Sequence, residues 1–148
     1  RSLVRGHAPY PVNNSDCGAA VLRGCFSARA WPICSAQHKW SALFEAFEKA
    51  DINIIKALYA DDATVEDPVG TDVHVGIEAI VAFYEGALKS GAKLELTGNP
   101  RSAGNSVAFP FTVKAPGMGI EVIDVFEFNE AGKICSMRAY WGAENAIA

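Results

Sequence analysis

The chain has 148 residues, a net charge of -4, half its residues apolar and a fifth charged. That composition suits a single globular domain and excludes a disordered or collagen-like chain. No apolar run approaches the ~18–20 residues needed to span a bilayer, and the acidic balance offers nucleic acid no basic field. The charge is unevenly spread. Residues 1–40 carry five basic side chains and one acid, Asp16, whereas residues 41–148 carry eight basic and sixteen acidic ones. Three of the four cysteines, Cys17, Cys25 and Cys34, lie in the first part, so the sequence reads as two pieces joined near residue 38.

Residues 1–38 are expected to be an extension. Pro9, Pro11, Asn13-Asn14 and Pro32 punctuate this stretch as loop, and the apolar run Cys17–Phe26 is broken by Arg23 and Gly24. Ser27-Ala28-Arg29-Ala30 has the small residues of a signal-peptide cleavage site, but the apolar stretch before it is short. Cys17, Cys25, Cys34 and His38 lack the Cys-x-x-Cys spacing of a zinc site.

From residue 39 an α+β rhythm sets in. Trp40, Leu43, Phe44 and Phe47 recur at i, i+3, i+4, i+7, one helical stripe. Asp51 is placed to cap a second helix with Ile52, Ile55, Leu58 and Tyr59 on its buried side, ended by Asp61-Asp62. Thr64–Asp67 reads as a short strand closed by Pro68, with His74 in the loop beyond, and Gly76–Leu88 reads as a third helix. The period then becomes 2, predicting strands at Lys93–Thr97, Arg101–Ala103, Val107–Lys114, Ile120–Asn129 and Lys133–Trp141. Helices first and antiparallel strands after predict an α+β fold, a curved sheet with helices on one face.

Two carboxylates stand on unexpected faces. In Ile120–Asn129, alternation puts Asp124 with Val122, Phe126 and Phe128, away from Glu121 and Glu127. A carboxyl on an apolar face tends to keep its proton, and a protonated aspartic acid donates a hydrogen bond to an oxyanion with no metal or cation. Asp67 shares a face with Val65 and is fixed by Pro68; an ionised carboxylate beside an apolar pocket is a candidate general base. Turn, edge or salt-bridge roles are the alternative for both. Cys135, Met137, Ala139 and Trp141 are expected to share one face of the last strand, and Val107, Phe109, Phe111 and Val113 form a second apolar stripe. Together they suit a pocket for a flat apolar ligand carrying one polar oxygen. The sequence contains no phosphate-binding glycine loop, Gly-x-Ser-x-Gly or His-Glu-x-x-His.

The segment Tyr59-Ala-Asp-Asp-Ala-Thr-Val-Glu-Asp-Pro-Val-Gly70 resembles the signature of bacterial Δ5-3-ketosteroid isomerases. So do Ala82-Phe-Tyr84, Val122-Ile-Asp-Val-Phe-Glu-Phe-Asn129 and Ala131-Gly-Lys-Ile-Cys-Ser-Met-Arg-Ala-Tyr-Trp141. The resemblance covers residues 39–148 and implies the cone-shaped sheet with three helices of the nuclear transport factor 2-like proteins. It also implies a cytoplasmic homodimer that works without cofactor or metal, on an apolar steroid-like substrate, and binds neither nucleic acid nor membrane. By resemblance, Asp67 falls on the general base that moves a proton from C4 to C6 of a 3-oxo-Δ5-steroid, and Asp124 on the protonated acid of the oxyanion hole. The pairing of a base with a protonated acid is the recognised pattern of that family.

Val65, Met137, Ala139 and Trp141 would line the steroid slot, joined by Phe111, Val122 and Phe126 from the apolar faces. Tyr59 and Tyr84 match two tyrosines that in some members support a third on the first helix. That third tyrosine, the family's principal oxyanion donor, is missing: an ungapped extension puts Leu43 there, and no tyrosine occurs between Tyr10 and Tyr59. The expected activity is therefore steroid isomerisation with an altered oxyanion hole. The alternatives are a non-catalytic binding module for an apolar small molecule, or another enzyme of the fold such as a dehydratase, epoxide hydrolase or cyclase.

Overall fold

The Trp40–Phe47 stripe belongs to helix α1, Ile33–Lys49, in the computed structural model, which describes residues 33–147, with side chains from Lys39 onward. Leu43 and Ala46 are the fully buried residues of its inner face. α1 runs unbroken across residue 38, where the charge split placed the join. The expectations for residues 1–32, including the Cys17 and Cys25 readings, lie outside the described residues.

Asp51 caps α2, Ile52–Leu58, as expected: its Oδ1 accepts from Asn53 N at 2.9 Å, satisfying a helix-terminal N–H. The helix ends sooner than predicted. Tyr59 is already extended, and strand β1 spans Tyr59–Glu66 rather than starting at Thr64. It pairs in parallel with the strand at the far end of the chain, with a register shift between Tyr59 and Thr64. The exposed Asp61 and Asp62 sit in that irregular stretch, which is why no alternation was visible there. A two-residue strand β2, His74–Val75, pairs with Thr64 and Val65 where a loop was expected, and α3, Ile77–Lys89, buries Ile80 and Tyr84.

The remaining strands are β3 (Lys93–Leu96), β4 (Arg101–Ala103), β5 (Ser106–Ala115), β6 (Met118–Phe128) and β7 (Ile134–Tyr140). A 3-10 turn, Ala143–Asn145, and a short β8, Ala146–Ile147, follow. All join one mixed sheet in the order β2-β1-β7-β6-β5-β3, with β4 on β5 and β8 on β6. Only the β1–β7 pair is parallel, so the chain is α+β, three helices against one curved sheet.

The core lies between the helices and the inner sheet face, around Ile55, Ile80, Phe109 and Phe126. Phe109 and Phe126 meet edge to face at 5.0 Å between centroids. One expectation for the inner face is corrected. β7 bulges against the end of β6, pairing Ile134 with Phe128 and Ser136 with Glu127, so Cys135 is the extra residue. Ile134 takes the buried face, and the Cys135 thiol turns to the carbonyl of Glu127. Among the described residues no helix is long and apolar enough to cross a membrane.

Candidate active site

Asp67 is the first residue past β1, and the segment behind it is tied down from both sides. Val69 N donates to Ala139 O of β7 at 2.8 Å, and Gly70 N donates to Glu66 Oε1 at 2.8 Å. Thr71 closes the turn through its N and Oγ1, both donating to Pro68 O. Gly70 holds φ at +99°, a backbone region that other residues rarely adopt. Asp124 comes from the middle of β6, the strand flanked by β5 and β7, with Phe109 and Ala139 as its cross-strand partners. Ala139 therefore stands between the two aspartates, paired with Asp124 on one edge and bonded to the Asp67 turn on the other.

Both carboxyls open onto one cavity of about 190 Å³. Helix α1 contributes Leu43 and Phe47, and α3 contributes Phe83, Tyr84 and Ala87. Beyond α3, Ser90, Ala92 and Leu94 continue the wall. The sheet supplies Phe111, Val113, Ile120, Val122 and Met137, and Trp141 follows β7. The polar residues of this lining are Asp67, Asp124, Tyr84, Ser90 and Trp141; among the described residues no lysine, arginine or histidine belongs to it.

The two carboxyls differ in environment. Asp124 is 3% exposed, and its Oδ1 has no hydrogen-bond partner among the described residues. Burial raises its pKa well above the usual aspartate value, and the charge of Asp67 pushes it the same way. Both influences favour the neutral, proton-donating form of Asp124. Asp67 is only partly buried. Burial raises its pKa too, but the Trp141 indole, donating to Oδ1 at 2.6 Å, and the nearby His74 counteract that rise. The two like groups thus differ in kind of environment: burial acts on Asp124 with no hydrogen bond to oppose it, and on Asp67 against the Trp141 indole.

Of the residues expected at the site, the structure brings Asp67, Asp124, Tyr84, Phe111, Val122, Met137 and Trp141 onto the cavity wall. Four do not reach it. Val65, Phe126 and Ala139 face inward as alternation required, but the packed core covers them and they are at most 1% exposed. Tyr59 stands behind Tyr84, with its hydroxyl 2.7 Å from the Tyr84 hydroxyl. Leu43, noted as the substitute for tyrosine, does line the cavity. Phe47, Phe83, Ala87, Ser90, Ala92, Leu94, Val113 and Ile120 were missed as site residues; of these, Phe47 and Val113 had a signal, since each lies on an apolar stripe of its element. Arg138 is exposed and pairs with Glu66 at 3.4 Å, and the Arg101 side chain donates to the carbonyl of Asn99. No group of three His, Cys, Asp or Glu among the described residues is placed to hold a metal ion.

The Trp141 contact makes a direct prediction. Trp141→Phe keeps an aromatic ring but removes the N–H that favours the Asp67 anion, so the Asp67 pKa should rise. A hydrogen bond to a charged group contributes ~1.5–3 kcal/mol, equivalent to roughly 1–2 pH units. An NMR titration of the Asp67 side-chain carbon reads this shift; an unmoved midpoint would show that the indole does not hold the carboxylate.

Comparison with known proteins places the chain in a family. The SnoaL-like domain family matches residues 40–137. A steroid Delta-isomerase of Nocardioides simplex is 48% identical over 99 residues, covering 63% of this chain and 78% of that protein. Epoxide hydrolase LasB of Streptomyces lasalocidi is 39% identical over 99 residues, 60% of this chain but only 35% of that protein. Among solved structures, the epoxide hydrolase/cyclase-like enzyme SalBIII, described for pyran ring formation in the polyether salinomycin, superposes with a TM-score of 0.66. It is 29% identical, and the match spans 74% of this chain and 95% of that one. All three relatives are enzymes. Because the SnoaL-like match spans more than half of the chain and the steroid Delta-isomerase is 48% identical over most of its own length, the chain belongs to the SnoaL-like family, nuclear transport factor 2-like in fold and on its ketosteroid isomerase branch.

Proposed function

We propose that the protein is a cofactor-independent steroid Δ-isomerase acting on a 3-oxo-Δ5-steroid. The observation that carries this reading is the pairing of Asp67, whose carboxylate the Trp141 indole supports against burial, with Asp124, which burial pushes toward its acid, in a cavity otherwise almost wholly apolar. The Asp67 carboxylate takes a proton from C4. The C4–H bonding pair moves into the ring, and charge collects on the C3 oxygen as a dienolate. Asp124 donates a hydrogen bond to that oxygen while keeping its own proton. Asp67 then returns its proton at C6, and the double bond ends conjugated with the ketone. No atom is gained or lost, so no co-reactant is required.

Apolar walls exclude water, which strengthens the Asp124 hydrogen bond to developing charge. The test is to supply such a steroid and follow the conjugated enone by its ultraviolet absorbance. Turnover no faster than the uncatalysed reaction would overturn the assignment. An epoxide-opening reading draws on the similarity to LasB and SalBIII. It would need an arginine between two aspartates around a water, and among the described residues the cavity wall holds no arginine.

A homodimer through the outer sheet face belongs to the same reading. Ile123 and Tyr140 are direct cross-strand partners there, 47% and 44% exposed. Light scattering should give a mass of two chains; a single-chain mass at micromolar concentration would refute it.

A further inference from the structure

The oxyanion hole as described has one donor, Asp124, and Leu43 contributes none. The pair formed by Tyr59 and Tyr84, the latter on the same cavity wall as Leu43, has a proton to spare. Tyr59 and Tyr84 are 2% and 3% exposed, and their hydroxyl oxygens lie 2.7 Å apart. Each hydroxyl carries one proton, and one hydrogen bond between them uses only one of the two. Neither hydroxyl has another hydrogen-bond partner among the described residues.

Where the second proton sits follows from position. Were Tyr84 the donor, the spare proton would be that of Tyr59, enclosed in the core with no acceptor, which costs ~1–3 kcal/mol. Were Tyr59 the donor, the spare proton would be that of Tyr84, which belongs to the cavity wall together with Asp124. The second arrangement leaves no buried donor stranded once a ligand oxygen enters.

The Tyr84 ring is held to this task. It packs edge-on to Phe83 and Phe47 at 5.2 and 6.4 Å and tilted to Tyr59 at 5.7 Å. Burial keeps both phenols far above their usual pKa, so both remain donors at neutral pH. A chain from Tyr59 to Tyr84 to the ligand oxygen is also cooperative, each bond polarising the next.

From this geometry we infer that Tyr84 is the second oxyanion donor, contributing the hydroxyl that Leu43 lacks, and that Tyr59 positions it. The inference rests on the isomerase reading of the cavity, because the accepting oxygen is that of the dienolate. The proton stays on Tyr84 throughout; only a hydrogen bond forms and strengthens.

The test uses the full chain, with Tyr84→Phe and Tyr59→Phe, each checked by thermal melting. Loss of an oxyanion donor typically costs about 10²–10³-fold in kcat. Tyr84→Phe should show that loss with little change in KM, the mark of an interaction made in the transition state. Tyr59→Phe, which removes only the positioning bond, should lose less. A second readout needs no turnover: binding of 2-naphtholate, an apolar oxyanion whose fluorescence differs from that of the neutral naphthol. Tyr84→Phe should weaken its binding at least tenfold.

A smaller loss on either readout overturns the donor role. If the wild type isomerises the steroid and Tyr84→Phe loses less than tenfold, the isomerase reading stands and this inference falls. If the wild type does not isomerise but binds 2-naphtholate, the isomerase reading falls and the naphtholate series alone decides the inference. A wild type that does neither overturns both. Should Tyr84→Phe not fold, Tyr59→Phe decides: a threefold or greater loss of naphtholate affinity supports the pair, and a smaller one overturns it.

Discussion

Asp67→Asn is expected to lower kcat for a 3-oxo-Δ5-steroid about 10²–10⁴-fold, the usual contribution of a positioned general base. Asparagine has the same size and leaves the turn intact, since the bonds that hold it run through Val69 N, Gly70 N and Thr71 rather than through the Asp67 side chain. The fold should therefore survive and KM should change little. An amide oxygen is not basic near neutral pH, so the C4 proton has nowhere to go.

The same residue sets the acid limb of the pH profile. Burial raises the Asp67 pKa above the ordinary value of 3.8, so activity should fall as pH drops through a midpoint above 3.8. The limb should be absent from whatever residual rate Asp67→Asn retains. Steady-state absorbance assays across pH, with thermal melting of both proteins, check this. A variant within tenfold of wild type would show that another group takes the proton.

Much of the fold was legible because its long elements keep one period. β6 buried the residues that its spacing of 2 picked out, α3 and β5 buried the centres of their stripes, and Asp51 announced α2 through a cap that its side chain makes. What failed was short or irregular. β2 and β8 have two residues each, too few for a pattern, and they exist because a neighbouring strand offers free backbone groups. The first half of β1 hid behind Asp61 and Asp62, and the bulge in β7 moved Cys135 off the face that strict alternation gave it.

The site divides along the same line. Asp124 was legible because a carboxyl on an apolar face is rare, and Asp67 because proline and the neighbouring motif fixed it. Which inward side chains reach the cavity was not, because alternation gives a face but says nothing about what covers it. Phe126 and Met137 both face inward, yet packing hides the first and leaves the second on the wall. The partner of Asp67 was equally invisible, since the Trp141 contact joins residues 74 positions apart.

Asp124→Leu should move stability and activity in opposite directions. Leucine has the branching of a protonated aspartic acid, with two methyl groups in place of two oxygens, and the adjoining cavity can take the small extra bulk. It removes a carboxyl whose Oδ1 is buried without a partner, and replacing such a group by an apolar one of like shape is neutral to stabilising. The pH dependence gives the sign. Asp124 titrates near 3.8 when unfolded and well above that when folded, so above about pH 4 the folded chain holds a proton that the unfolded chain releases. The wild type should then lose stability with rising pH, at up to about 1.4 kcal/mol per unit, until the folded carboxyl itself ionises. Leucine has no such term. The advantage of Asp124→Leu should be smallest near pH 4 and clearly larger at pH 7, read by urea unfolding at both pH values. Over the same range kcat should fall about 10²–10³-fold, because the dienolate oxygen loses a donor. A carboxyl kept neutral against its own stability is what a built oxyanion hole requires, since a site tuned for activity gives up stability where it must hold unsatisfied groups ready. A variant that is less stable at pH 7, or that turns over within tenfold of wild type, would place Asp124 in the core rather than in the chemistry.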